Sequence, residues 1–155
     1  MNRPATLLVL LLAGLLAGCG GGSRPTGIRT AETPPDDVAE YQPRWRSHTV
    51  DSTQYRKVFL AGTIDMGRSA DWQAALVARF RDSIGGRWLF FNPRRREFHA
   101  SPAEMEYQVA WELAHLEATD LIVMNLLGDS RSPISLLEMG LYARSGKLFV
   151  ACSPD

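Results

Sequence analysis

From residue 55 onward, short apolar runs alternate with longer segments whose apolar residues recur every third or fourth position. Four runs read as strands, at 57–62, 87–91, 120–126 and 147–152. Unbroken apolar runs of this length suit strands covered on both faces, as in a parallel sheet. Between the first two, Trp72, Leu76 and Phe80 recur at a spacing of four, which predicts a helix over 70–83. The Ser69 hydroxyl is placed to cap it and Gly85-Gly86 to stop it. Ser101-Pro102-Ala103-Glu104 is a helix start, with Ser at the N-cap, Pro at the first position and Glu completing a capping box. That helix is predicted to end near Ala118 and to bury Met105, Val109 and Leu116. A third helix, over 133–144, opens on Pro133 and is closed by Gly146.

Strand and helix thus alternate, with connections that suit right-handed crossovers. The fold class expected is α/β: a three-layer, Rossmann- or flavodoxin-like parallel sheet of four strands in the spatial order 2-1-3-4. In such sheets ligands bind where strands end and helices begin, so a site is expected at the carboxyl edge near strands one and three. The chain stops at Asp155, directly after the fourth strand. The domain, 55–155, is therefore expected to be short at its C-terminus, with that strand an edge or covered by a partner.

The first nineteen residues follow another pattern. Arg3 precedes an apolar, Leu-rich stretch from Ala5 to Leu16, too short to span a membrane comfortably. It ends in Leu16-Ala17-Gly18-Cys19, which resembles the lipobox of bacterial lipoproteins. The resemblance implies that Cys19 is lipidated, anchoring the protein to a membrane without threading it through. An ordinary signal peptide with an incidental Cys is the other reading. Gly20 after the Cys points, in such lipoproteins, to the periplasmic face of the outer membrane of a bacterial envelope. Residues 20–54, with Gly20-Gly21-Gly22-Ser23, Pro25, Pro34-Pro35 and Pro43, read as a flexible linker too poor in apolar residues to build a core.

Lys and Arg number 17, as do Asp and Glu, so the formal net charge is zero. The clustered basic face of a nucleic-acid binder is not expected, and Arg94-Arg95-Arg96 reads as a solvated loop. Three scattered His give no metal spacing, Cys152 reads as a small core residue, and no dinucleotide or Walker fingerprint occurs. No metal or cofactor is expected.

Two acids stand out. Glu138 lies between Ile134 at i−4 and Leu141 at i+3, so its carboxylate is expected on a largely buried helix face. A charge there is costly unless paired or used. The alternative is a capping box with Ser135. Glu112 falls on the stripe of Met105, Val109 and Leu116, unless the helix is rotated to wet it or an Arg pairs with it. Two carboxylates aimed at one sheet edge suit glycosyl transfer, one attacking an anomeric carbon and the other managing protons or orienting the sugar. Asp65, in the loop after Gly62, can bond a ligand's base or sugar, or merely cap the loop.

Val58-Phe59-Leu60-Ala61-Gly62-Thr63-Ile64-Asp65-Met66-Gly67, Asp71-Trp72-Gln73 and Phe91-Asn92-Pro93-Arg94-Arg95 resemble the nucleoside 2-deoxyribosyltransferase-like family. So do Gln108, Trp111-Glu112, Asp120-Leu121-Ile122-Val123 and Ser132-Pro133-Ile134-Ser135-Leu136-Leu137-Glu138-Met139-Gly140-Leu141-Tyr142-Ala143. The resemblance implies that Glu138 is a nucleophile forming a covalent deoxyribosyl-enzyme, which a second base or water resolves. It implies a second carboxylate at Glu112, where the characterised enzymes carry Asp. Their second loop acid falls near Ser132, with Asp129 close by, and their strand-one aromatic falls on Phe59, which has no hydroxyl. The implied ligand is a nucleoside-like small molecule bound by Phe59, Gly62, Asp65, Asp129 and Ser132. The implied assembly is a homo-oligomer in which residues near one subunit's C-terminus complete a neighbour's site. The function implied is N-glycosidic cleavage or deoxyribosyl transfer; the alternative is a membrane-tethered nucleoside-binding module without turnover.

Overall fold

The computed structural model of the chain describes residues 38–153, apart from residues 98 and 100. The leader at 1–19, the expected lipidation at Cys19 and the first part of the linker lie outside the described residues. Nine elements carry the described fold: β1 (Val38–Gln42), β2 (Trp45–Arg46), β3 (Arg56–Gly62), α1 (Trp72–Ser83), β4 (Trp88–Phe91), α2 (Pro102–Ala118), β5 (Leu121–Leu126), α3 (Pro133–Tyr142) and β6 (Leu148–Cys152). They form an α/β fold on one mostly parallel sheet of order β2-β1-β4-β3-β5-β6. Val58 in β3 stands opposite Phe90 on one side and Leu121 on the other.

The sheet has six strands rather than the four expected, and one pair, β1 with β2, is antiparallel. Both added strands come from the stretch that reads as a linker. Its strand character is hard to recognise because Glu40 interrupts a short run, yet Val38, Ala39 and Tyr41 are buried. The Tyr41 ring meets Phe91 edge-on at 6.1 Å. Glu40 is tolerated inside because Asn92 Nδ2 donates to it at 2.8 Å. The other four strands keep the expected neighbours, β4-β3-β5-β6, with β6 at one end.

Successive strand residues face opposite ways, so β4 shows where the helices lie. Phe90 meets Phe80 of α1 at 5.0 Å, whereas Phe91 meets Trp111 of α2 at 6.5 Å. Tyr142 of α3 joins Phe59, Phe91 and Leu116 in the same core cluster. Helix α1 therefore covers one face and α2 with α3 the other.

Local details depart from expectation at each helix. Asp71, not Ser69, caps α1 by accepting from Ala74 N at 2.9 Å, while Ser69 Oγ donates to the Ile64 carbonyl. Ser101 caps α2 as expected, but Glu104 turns to Arg44 and Arg95 instead of closing a box. On α2, Met105 and Val109 are about half exposed and Leu116 alone of the expected stripe is buried. On α3, Ile134 and Leu141 are exposed and the buried residues are Ser135 and Tyr142.

Candidate active site

Strand β3 ends at Gly62, where φ is +119° and an added Cβ would overlap the Asn125 backbone. Glycine is what lets β3 and β5 close together there, and Thr63 N donates to Asn125 O at 2.9 Å. The buried Thr63 hydroxyl accepts from Leu127 N at 3.1 Å and shares a 2.6 Å bond with Ser132 Oγ. The loops after β3 and β5 are thus fastened to each other. Ser132 stands at the N-cap of α3 with φ +39°, but its hydroxyl serves Thr63 and Ser130 rather than the helix.

Beside this junction lies a cleft of about 280 Å³, near the lower bound of small-molecule sites. The loop after β3 lines it with Gly62, Ile64, Asp65 and Met66, and the loop after β4 with Pro93. Glu112 enters from α2; Ser130, Ser132, Ser135 and Glu138 enter from α3 and the loop before it. Asp65 and Met66 both hold positive φ, and Asp65 pairs with Arg68 at 3.1 Å. Arg94 straps this loop in place, donating to the carbonyls of Gly67, Ser69 and Ala70 at 2.7–3.1 Å. Arg94 and Arg95 are consequently not the solvated loop expected. Their side chains are 12% and 7% exposed.

Glu138, Glu112, Gly62, Asp65 and Ser132 meet at the cleft. Phe59 and Asp129 do not line it. Phe59 sits in mid-strand, fully buried with its ring 6.2 Å from Trp111, too far down β3 to reach the edge. Asp129 is exposed on the turn after β5. Pro93 and Met66 join the cleft without having been singled out, whereas Ser130 and Ser135 lie in the loop and helix start after β5, where a site is expected. Pro93 carries a usable signal in the sequence, because it follows the carboxyl end of a strand next to β3. The left-handed backbone that presents Met66 has no Gly or Asn to announce it.

Both acids reach the cleft, though by a different helix face from the one expected. The capping-box alternative for Glu138 is not realised, since α3 starts at Pro133 and Ser135 is buried within it. Burial pushes the Glu138 carboxyl up to about 7, and the neighbouring charge of Glu112 adds to the effect. Glu112 is also raised by burial, opposed by the Gln108 amide at 2.6 Å and by the Arg95 charge. Two acids that share a cleft and differ in their hold on a proton can divide nucleophile from proton carrier.

A comparison with protein-family models matches residues 55–155 to the family described as nucleoside 2-deoxyribosyltransferase like. No curated protein matches the chain.

Proposed function

The chain belongs to the nucleoside 2-deoxyribosyltransferase-like family, and from that premise we propose that it cleaves or exchanges the N-glycosidic bond of a nucleoside-like substrate through Glu138. One observation carries the reading: Glu112 and Glu138, from different helices, face one cleft at the carboxyl edge of the sheet. In the proposed reaction an ionised Glu138 oxygen bonds to the anomeric carbon and the C–N bond breaks. The bonding pair leaves with the base nitrogen, which takes up a proton. A second base, or water, then attacks the same carbon and releases Glu138, so configuration is retained. Glu112 orients the sugar and handles protons. Asp65 and the Gly62 backbone edge bound the space for the rest of the ligand.

The same reading extends to address and assembly. Lipidation at Cys19 would hold the domain at the periplasmic face of an outer membrane. Self-association is supported by apolar side chains left outside, namely Met105, Val109 and Leu113 on α2 and Ile134, Leu137 and Leu141 on α3.

The test is to incubate the full chain with deoxyinosine and free adenine and to follow base release and exchange. The expected result is exchange or hydrolysis that falls about 10³-fold or more in Glu138→Ala. Saturable nucleoside binding with no base release in the unsubstituted protein would favour a binding module instead.

A further inference from the structure

Glu112 is held by a line of bonds that begins well outside the cleft. Arg44, in the turn between β1 and β2, bonds Glu104 at 2.8 Å, and Arg95 bonds the other Glu104 oxygen at 2.5 Å. Arg95 Nε also donates to Gln108 Oε1 at 2.5 Å. Gln108 Nε2 donates to the Pro93 carbonyl at 3.0 Å and to Glu112 Oε1 at 2.6 Å. A guanidinium only donates, so the Gln108 oxygen must face Arg95. Its NH2 group is then committed to Pro93 and Glu112, and the amide has one orientation. Pro93 itself lines the cleft, so Gln108 braces two of the surfaces around the ligand.

We propose that Gln108 is a positioning residue for Glu112: its amide, oriented by Arg95, fixes one carboxylate oxygen and leaves the other to face the cleft. The proposal rests on the reading of the cleft as a glycosyl-transfer site for its role in turnover, but the bond itself is a separate claim. Arg95 from the loop after β4 and Glu138 from α3 act on the Glu112 charge, and Asp65 lines the same cleft. Donation from Gln108 favours ionised Glu112, and that charge in turn favours a proton on Glu138. The braced amide therefore adds to what burial already does in placing the proton on Glu138 in the empty site.

The experiment follows the Glu112 carboxyl carbon by NMR against pH in the full chain, with Glu112→Gln as the assignment control. Gln108→Met is expected to move the Glu112 midpoint up by about one pH unit, and Gln108→Glu further, because a second carboxylate then faces it. In parallel, kcat on deoxyinosine is expected to fall about tenfold or more while KM stays within about twofold. A folded Gln108→Met protein in which Glu112 titrates as before overturns the proposal. If that variant does not fold, Gln108→Glu, which keeps a partner for Arg95, replaces it, and an unmoved Glu112 midpoint there overturns the proposal equally. A fall in kcat without any movement of the midpoint also overturns it. A chain that shows the midpoint shift but never releases base defeats the proposed function and leaves the Gln108–Glu112 brace standing.

Discussion

A carboxyl group held near neutrality is a pH device. In the proposed reaction Glu138 must lose its proton to attack, so kcat/KM is expected to rise as pH climbs through about 7. Removing the Glu112 charge removes one cause of the elevation, so Glu112→Gln should move that limb to lower pH, as read from a pH–rate profile. The same residue affects stability. Its folded-state value is raised from 4.5 to about 7, so the folded protein holds the proton more tightly than the unfolded chain does. The stability this contributes is present below pH 4.5 and is lost as pH rises to 7, by up to about 3 kcal/mol. Glu138→Gln is therefore expected to stabilise the protein at pH 8 and to change little at pH 4. Urea midpoints at the two pH values check this.

At the scale of elements, the junction of β3 and β5 is the tightest point near the site. Gly62→Ala would force a Cβ into the Asn125 backbone at a φ that disfavours it, and is expected to cost more than about 2 kcal/mol in chemical denaturation. Elements of this kind are legible in the sequence: the strands β3, β4, β5 and β6, their order, and a cleft at their carboxyl edge all follow from apolar runs and turn residues. What the sequence does not carry is the rotation of the helices. Helix α3 is apolar on most sides, so Ile134 and Leu141 look as fit for the core as Tyr142. On α2, Met105 and Val109 outcompete Gln108 and Glu112 by hydrophobicity, although a bond from Gln108 and a nearby Arg95 are what let the polar face turn inward. Glu138 and Glu112 therefore reach the cleft from stripes other than those expected. Phe59 stays out of the cleft for a different reason, since position along a strand, and not membership of it, decides what reaches the edge.

At the scale of the whole molecule, the family match begins at residue 55 but the sheet begins at Val38. A fragment 55–155 lacks β1, leaves β4 as an open edge and uncovers Phe91. It is expected to be less stable than 38–155 by at least about 3 kcal/mol, because Val38, Ala39 and Tyr41 are buried against the rest. The hairpin also supplies Arg44 to the bond line that ends on Glu112, which ties a segment resembling a linker to a side chain of the cleft. The proposed chemistry has one direct readout. The full chain is mixed with a 2'-deoxynucleoside, quenched in acid, digested and mapped by mass spectrometry. The account predicts one deoxyribosyl unit on the peptide carrying Glu138, absent in Glu138→Gln. Base release that proceeds with Glu138 never modified, or that survives Glu138→Gln, would contradict it.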